Sequence, residues 1–215
     1  MKRIFTTLFV CISLLLAAQE APFRKEIEAF KKSDSRQLPP ENAIVFVGSS
    51  SFRMWKSLEE DFPNHTVINR GFGGSSLPHV IDYVDEIVIP YKPKQVVVYC
   101  GENDFMNDTV TSEIVVARFK QFFQLLRAQL PRAHIAFISM KPSPSRQHLM
   151  PKISAANRSI KDFLEGQRGT AYINIWDPML DKNGAPRREL FLSDMLHMNA
   201  KGYAIWKKAL EPHLR

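Results

Sequence analysis

Five short apolar runs rich in β-branched residues punctuate the chain, at Ala43–Val47, Thr66–Asn69, Gln95–Cys100, Ile135–Met140 and Ala171–Ile175. Val96-Val97-Val98-Tyr99 is apolar at every position rather than at alternate ones. That pattern belongs to a strand covered on both faces, and so to a parallel sheet. Between the runs the apolar spacing changes to three and four. Ser76–Val88 carries Leu77, Val80, Ile81, Val84 and Ile87, and Ser112–Leu130 carries Ile114, Val115, Phe119, Phe122, Phe123, Leu126 and Leu130. Ile153–Glu165 and Ala200–Glu211 follow the same rule, and Phe23, Ile27 and Phe30 place a first helix at Pro22–Lys32. Strands alternating with helices predict a doubly wound α/β domain with a parallel sheet. Such sheets bind ligands beyond the carboxyl ends of their strands.

The first residues stand apart. Lys2 and Arg3 precede an apolar stretch from Ile4 to Ala18, followed by Gln19-Glu20. A basic start, a short apolar middle and small residues at its end predict a secretory signal peptide over 1–19. Residues 20–215 then form a single domain, exported or periplasmic, without stable membrane insertion after the leader is cleaved. An uncleaved N-terminal anchor is the alternative. Without the leader Cys100 is the one remaining cysteine, so no intrachain disulfide is expected. With 45% hydrophobic residues and 15 Phe, a core of ordinary size suffices.

The formal charge is +7, falling to +5 when Lys2 and Arg3 leave with the leader. The basic residues are scattered and no stripe interleaves them with aromatics, so no nucleic-acid partner is expected. Asn64-His65-Thr66, Asn107-Asp108-Thr109 and Asn157-Arg158-Ser159 match glycosylation sequons.

The chemistry gathers after the strands. The first run is followed by Gly48-Ser49-Ser50-Ser51, a tight turn that presents hydroxyls at the start of a helix. Alone, this reads as readily as a helix cap. The second is followed by Asn69-Arg70-Gly71-Phe72-Gly73-Gly74, a Gly-rich turn able to aim a backbone N–H. It fits no dinucleotide cradle, because Ser76 stands at the last Gly position. The third is followed by Gly101-Glu102-Asn103-Asp104, whose Asn offers an amide N–H. Before the last helix stands Asp194-Met195-Leu196-His197, an acid three residues ahead of a base. Nucleophile, base, orienting acid and oxyanion donors converging on one sheet edge are what acyl transfer requires.

These four blocks, in this order, resemble the SGNH hydrolases, the GDSL-type lipases and esterases. The Phe46-Val47-Gly48-Ser49-Ser50-Ser51 context and the opening helix are similar to the platelet-activating-factor-acetylhydrolase-like branch. The likeness runs from Ile44 to Tyr203. It implies a flavodoxin-like three-layer α/β/α fold with a five-stranded parallel sheet. It implies a catalytic triad of Ser50, His197 and Asp194, with an oxyanion hole from Ser50, Gly74 and Asn103. The chain departs from the family pattern at Ser49, where the Asp of Gly-Asp-Ser belongs, and alignment on Gly48 selects Ser50. The expected activity is hydrolysis of small carboxylic esters, acetyl or short acyl, through an acyl-enzyme, with no cofactor and no metal. Acetylated sugars and short-chain lipid esters are the expected substrates. A catalytically silent carbohydrate- or lipid-binding module on the same fold is the alternative. Arg146 and His148, in the loop 141–150 after the fourth strand, are candidate substrate-binding residues. That loop also reads as a solvated Pro-rich connection.

Overall fold

The computed structural model describes residues 20–215, and the expected leader over 1–19 lies outside the described residues. Five parallel strands form the sheet: β1 (Ile44–Gly48), β2 (Val67–Gly71), β3 (Gln95–Tyr99), β4 (His134–Ile138) and β5 (Thr170–Ile173). Their spatial order is β2-β1-β3-β4-β5. The longer helices are α1 (Arg24–Asp34), α4 (Leu77–Ile87), α5 (Ser112–Gln129), α6 (Met150–Glu165) and α7 (Ala200–Leu210); two single turns, α2 (Ser50–Arg53) and α3 (Leu58–Asp61), follow β1.

The sheet is apolar on both faces, as its unbroken runs require. Val45, Val47, Val96, Val98, Ile135 and Phe137 face one cluster, shared with apolar residues of α1, α4, α5 and α6. Ile44, Phe46, Val97, Tyr99, Ala136 and Ile138 face the other, shared with α2, α3 and α7. The second face is strongly aromatic. Tyr99 and Trp206 rings lie 4.6 Å apart, and Phe46 meets Phe52 at 5.3 Å in an edge-on arrangement. Such pairs add about 0.5–1.5 kcal/mol each beyond the area they bury.

The three-layer doubly wound architecture is therefore the one expected, with element ends displaced by at most three residues. The fourth run ends as a strand at Ile138 rather than Met140, for a definite reason. Asn157 of α6 takes over the ladder there, accepting from Met140 N at 2.9 Å and donating to Met140 O at 2.8 Å. Asn157 is 4% exposed, so its sequon is closed to modification in the folded chain.

From β1 the chain goes to β2 on one side, then crosses back to β3 on the other. The order reverses between β1 and β3, and a crevice opens at such a switch point. Gly48 and Tyr99 are register partners there.

Candidate active site

The end of β1 is pressed against β3. A Cβ on Gly48 would stand 1.9 Å from the Tyr99 carbonyl oxygen, and Gly48 has φ of +149°. Only glycine meets both demands. Ser49 N then donates to Tyr99 O at 3.1 Å, and the chain turns into α2 with Ser50 as its first residue. Asn69 of β2 anchors this turn, giving its amide N–H to Phe52 O at 2.7 Å and accepting from Gly71 N at 3.0 Å. Ser49 and Ser51 are buried at 4% and 2% exposure, whereas Ser50 is partly open.

His197 reaches Ser50 from the far end of the chain. Its Nε2 lies 2.9 Å from Ser50 Oγ, and its Nδ1 lies 2.6 Å from Asp194 Oδ2. Asp194 Oδ1 also accepts from the backbone N–H groups of Leu196 and His197, each at 2.9 Å. Partial burial works against its ionisation, but the His197 ring and these two donors outweigh it and hold the carboxyl down at about 2. The tight turn is bought with Met195 in the left-handed region, at φ +55°. Asn199 caps α7 directly behind it, accepting from Lys201 N and Gly202 N. Tyr203, on the first turn of α7, donates its hydroxyl to Ser51 O at 2.8 Å, joining the histidine side of the site to the serine side.

The Gly-rich loop is tied to the same edge. Ser75 Oγ lies 3.1 Å from both Gly48 O and Phe72 O, which share its one hydrogen. Gly74 has φ of +79° with nothing within 4 Å of where a Cβ would sit. Asn103 gives one amide hydrogen to Ser75 O at 2.9 Å; its second has no protein partner among the described residues. Asp104 steadies the segment, accepting from Leu77 N at 2.9 Å and from Arg118 at 2.7 Å.

The structure thus brings Ser50, His197 and Asp194 into one hydrogen-bonded line, and ties the Gly74–Ser75 turn to Asn103. Arg146 is turned inward: its Nη2 donates to Asn103 Oδ1 at 2.8 Å and its Nη1 pairs with Glu102 Oε1 at 3.0 Å. His148 is exposed, with no hydrogen bond to a site residue. Beneath Asn103 lies a buried charge cluster that the residue pattern did not announce. Glu102 Oε2 pairs with Lys141 Nζ at 2.7 Å and accepts from Tyr99 OH at 2.6 Å. Burial opposes the Glu102 charge, but Lys141 and Arg146 together hold its carboxyl below the ordinary range. Burial holds Lys141 below the ordinary lysine range; Glu102 opposes this shift and the nearby Arg146 charge adds to it. The signal for the pair was Lys141 directly after the run Ile135–Met140 and Glu102 two residues after the run Gln95–Cys100. Among the described residues no group of three or more His, Cys, Asp or Glu is placed to hold a metal ion.

A hydroxyl, an imidazole and a carboxylate in line at the carboxyl edge of a parallel sheet are the equipment of a hydrolytic enzyme. The bond it cleaves follows from kinship. The chain belongs to the GDSL-like lipase/acylhydrolase family, matching it over residues 44–205, and is a carboxylic ester hydrolase. No curated protein matches the chain. Among solved structures it is similar to a Streptococcus pneumonia protein provisionally described as a platelet activating factor (TM-score 0.77, 20% identity, covering 89% of this chain and 92% of that one). It is also similar to a GDSL-like lipase from Bacteroides thetaiotaomicron (0.75, 20%, covering 87% and 96%). A third is a variant of an acetyl-xylooligosaccharide esterase from Geobacillus Stearmophilus (0.65, 14%, covering 80% and 94%). Likeness at these identities concerns the fold. No helix among the described residues is long and apolar enough to cross a membrane.

Proposed function

We propose that this enzyme hydrolyses small carboxylic esters, acetyl or short acyl, through a Ser50–His197–Asp194 triad and an acyl-enzyme. One observation carries the reading: the unbroken line from Asp194 Oδ2 through His197 to Ser50 Oγ, with steps of 2.6 and 2.9 Å. Hydrogen-bond reach between nucleophile and base, with the base oriented by a third group, is the signature of an activated serine.

His197 Nε2 takes the Ser50 proton as Oγ attacks the ester carbonyl. Asp194 holds the ring in the tautomer that leaves Nε2 as the base, and stabilises the imidazolium that forms. The oxyanion receives the free Asn103 amide N–H together with the backbone N–H groups of Gly74 and Ser50. His197 then protonates the leaving alcohol. Water, activated by the same ring, attacks the acyl-enzyme and frees Ser50.

Acetylated sugars and short-chain lipid esters are the substrates we favour. The acetyl-xylooligosaccharide esterase of the same fold supports the first class. We further propose that residues 1–19 are a leader directing the domain of residues 20–215 to the periplasm or the medium. A panel of p-nitrophenyl acetate, longer p-nitrophenyl esters and acetylated xylooligosaccharides tests the substrate reading. Rates that rise steadily with acyl length would defeat it. N-terminal sequencing of the exported protein tests the leader.

A further inference from the structure

Arg146 sits in the segment after β4, where it interrupts a 3-10 turn with φ −116° and ψ 23°. Its side chain is 12% exposed and its guanidinium is spent on two neighbours, Asn103 and Glu102. The preceding residue ties the same segment to the histidine loop, Ser145 N donating to Met195 O at 3.0 Å. Arg146 therefore reaches the site from within the protein and not from the solvent side.

Two consequences follow from elementary chemistry. Arginine has five donors and no acceptor, so the Asn103 atom facing it must be the carbonyl oxygen. A flipped amide would turn its NH2 towards a permanent cation. Arg146 thus dictates that Nδ2, and not Oδ1, faces Ser75 O and the crevice. The second consequence is electronic. A cation hydrogen-bonded to an amide oxygen draws electron density from the amide nitrogen, and chained hydrogen bonds strengthen one another. Lys141 and Arg146 share a single carboxylate, Glu102. The buried cluster behind the amide therefore carries one net positive charge, placed where it favours a developing oxyanion.

We propose that Arg146 is a positioning residue for the oxyanion hole, fixing and polarising the Asn103 amide from behind, rather than a contact for an anionic substrate group. The inference rests on the oxyanion role proposed for Asn103.

A double-mutant cycle on the full protein tests it, with p-nitrophenyl acetate as the probe and thermal midpoints recorded alongside. Arg146→Met is expected to lower kcat about tenfold with KM within about twofold, a fraction of the loss of a whole oxyanion donor. In an Asn103→Ala background the same substitution should cost less than about twofold, because the amide it serves is gone. Arg146→Lys should retain part of kcat, and takes the place of Arg146→Met in the cycle if that variant does not fold. A rise in KM with kcat preserved would overturn the proposal in favour of a substrate contact. An undiminished loss in the Asn103→Ala background would overturn it in favour of general structural damage. Full kcat in Asn103→Ala alone would instead remove the oxyanion reading itself, and the positioning role with it.

Discussion

Asp194 holds His197 Nδ1 at 2.6 Å while 46% of its own side chain stays in solvent. The carboxylate is thus oriented by its turn and its three donors rather than by enclosure. Replacing it with Asn removes the charge and favours the wrong tautomer. Asp194→Asn should lower kcat by about 10⁴-fold, the loss seen when a triad acid is neutralised. Initial rates on p-nitrophenyl acetate check this.

The same carboxyl gives a pH signature. Its folded value of about 2 lies below the ordinary 3.8. A lowered carboxylate stabilises the fold above its unfolded value, and that contribution fades as pH falls through the folded one. The gap in thermal midpoint between wild type and Asp194→Asn should therefore be full at neutral pH and shrink between about pH 4 and pH 2. A gap that stays constant to pH 2 would contradict the assignment.

Three consecutive serines compete for one role, and burial separates them. Ser50→Ala should cut kcat by at least about 10⁴-fold and abolish labelling by a fluorophosphonate, since Ser and His act as a unit. Ser49→Ala and Ser51→Ala should keep the label. Intact mass spectrometry of the three variants after labelling distinguishes them.

Two glycines with positive φ should respond differently to a methyl group. At Gly48 the added Cβ meets the Tyr99 carbonyl, so Gly48→Ala forces β1 and β3 apart. A cost of several kcal/mol or loss of folding is expected, as for other clashes at a strained position. Gly74 faces open space, so Gly74→Ala should cost only the backbone strain, about 1–2 kcal/mol. Thermal unfolding by circular dichroism ranks them.

The buried pair Glu102–Lys141 should show the asymmetry of desolvated ions. Glu102→Gln leaves Lys141 and Arg146 without their shared counter-charge and should destabilise by about 3 kcal/mol. Adding Lys141→Met removes one of the two stranded cations and should recover part of that loss. Urea unfolding midpoints of the single and double variants provide the check.

The strands were legible because the sheet is covered on both sides, leaving Val96 to Val98 no polar alternation to hide in. The strand-end blocks were legible because chemistry there needs few residue types at fixed places. Element ends were less so: Asn157 replaces the ladder at Met140 from 17 residues away, a contact no local pattern encodes. The same holds for Glu102 and Lys141, 39 residues apart. Each alone reads as an ordinary surface charge, and only the sheet makes them neighbours. Arg146 was legible only as a candidate in a loop after the fourth strand; its direction was not, since a cation in a loop is as ready to meet a substrate as a buried carboxylate.

The hydroxyl of Tyr203 on the Ser51 carbonyl works as a latch between two parts of the chain that share no strand. Partial opening of the C-terminal helix would release it, letting His197 drift from Ser50 while the sheet remains folded. Such sub-global openings need less free energy than complete unfolding. On warming, esterase activity would then fade before the circular dichroism signal does, and cooling would restore it without refolding the sheet.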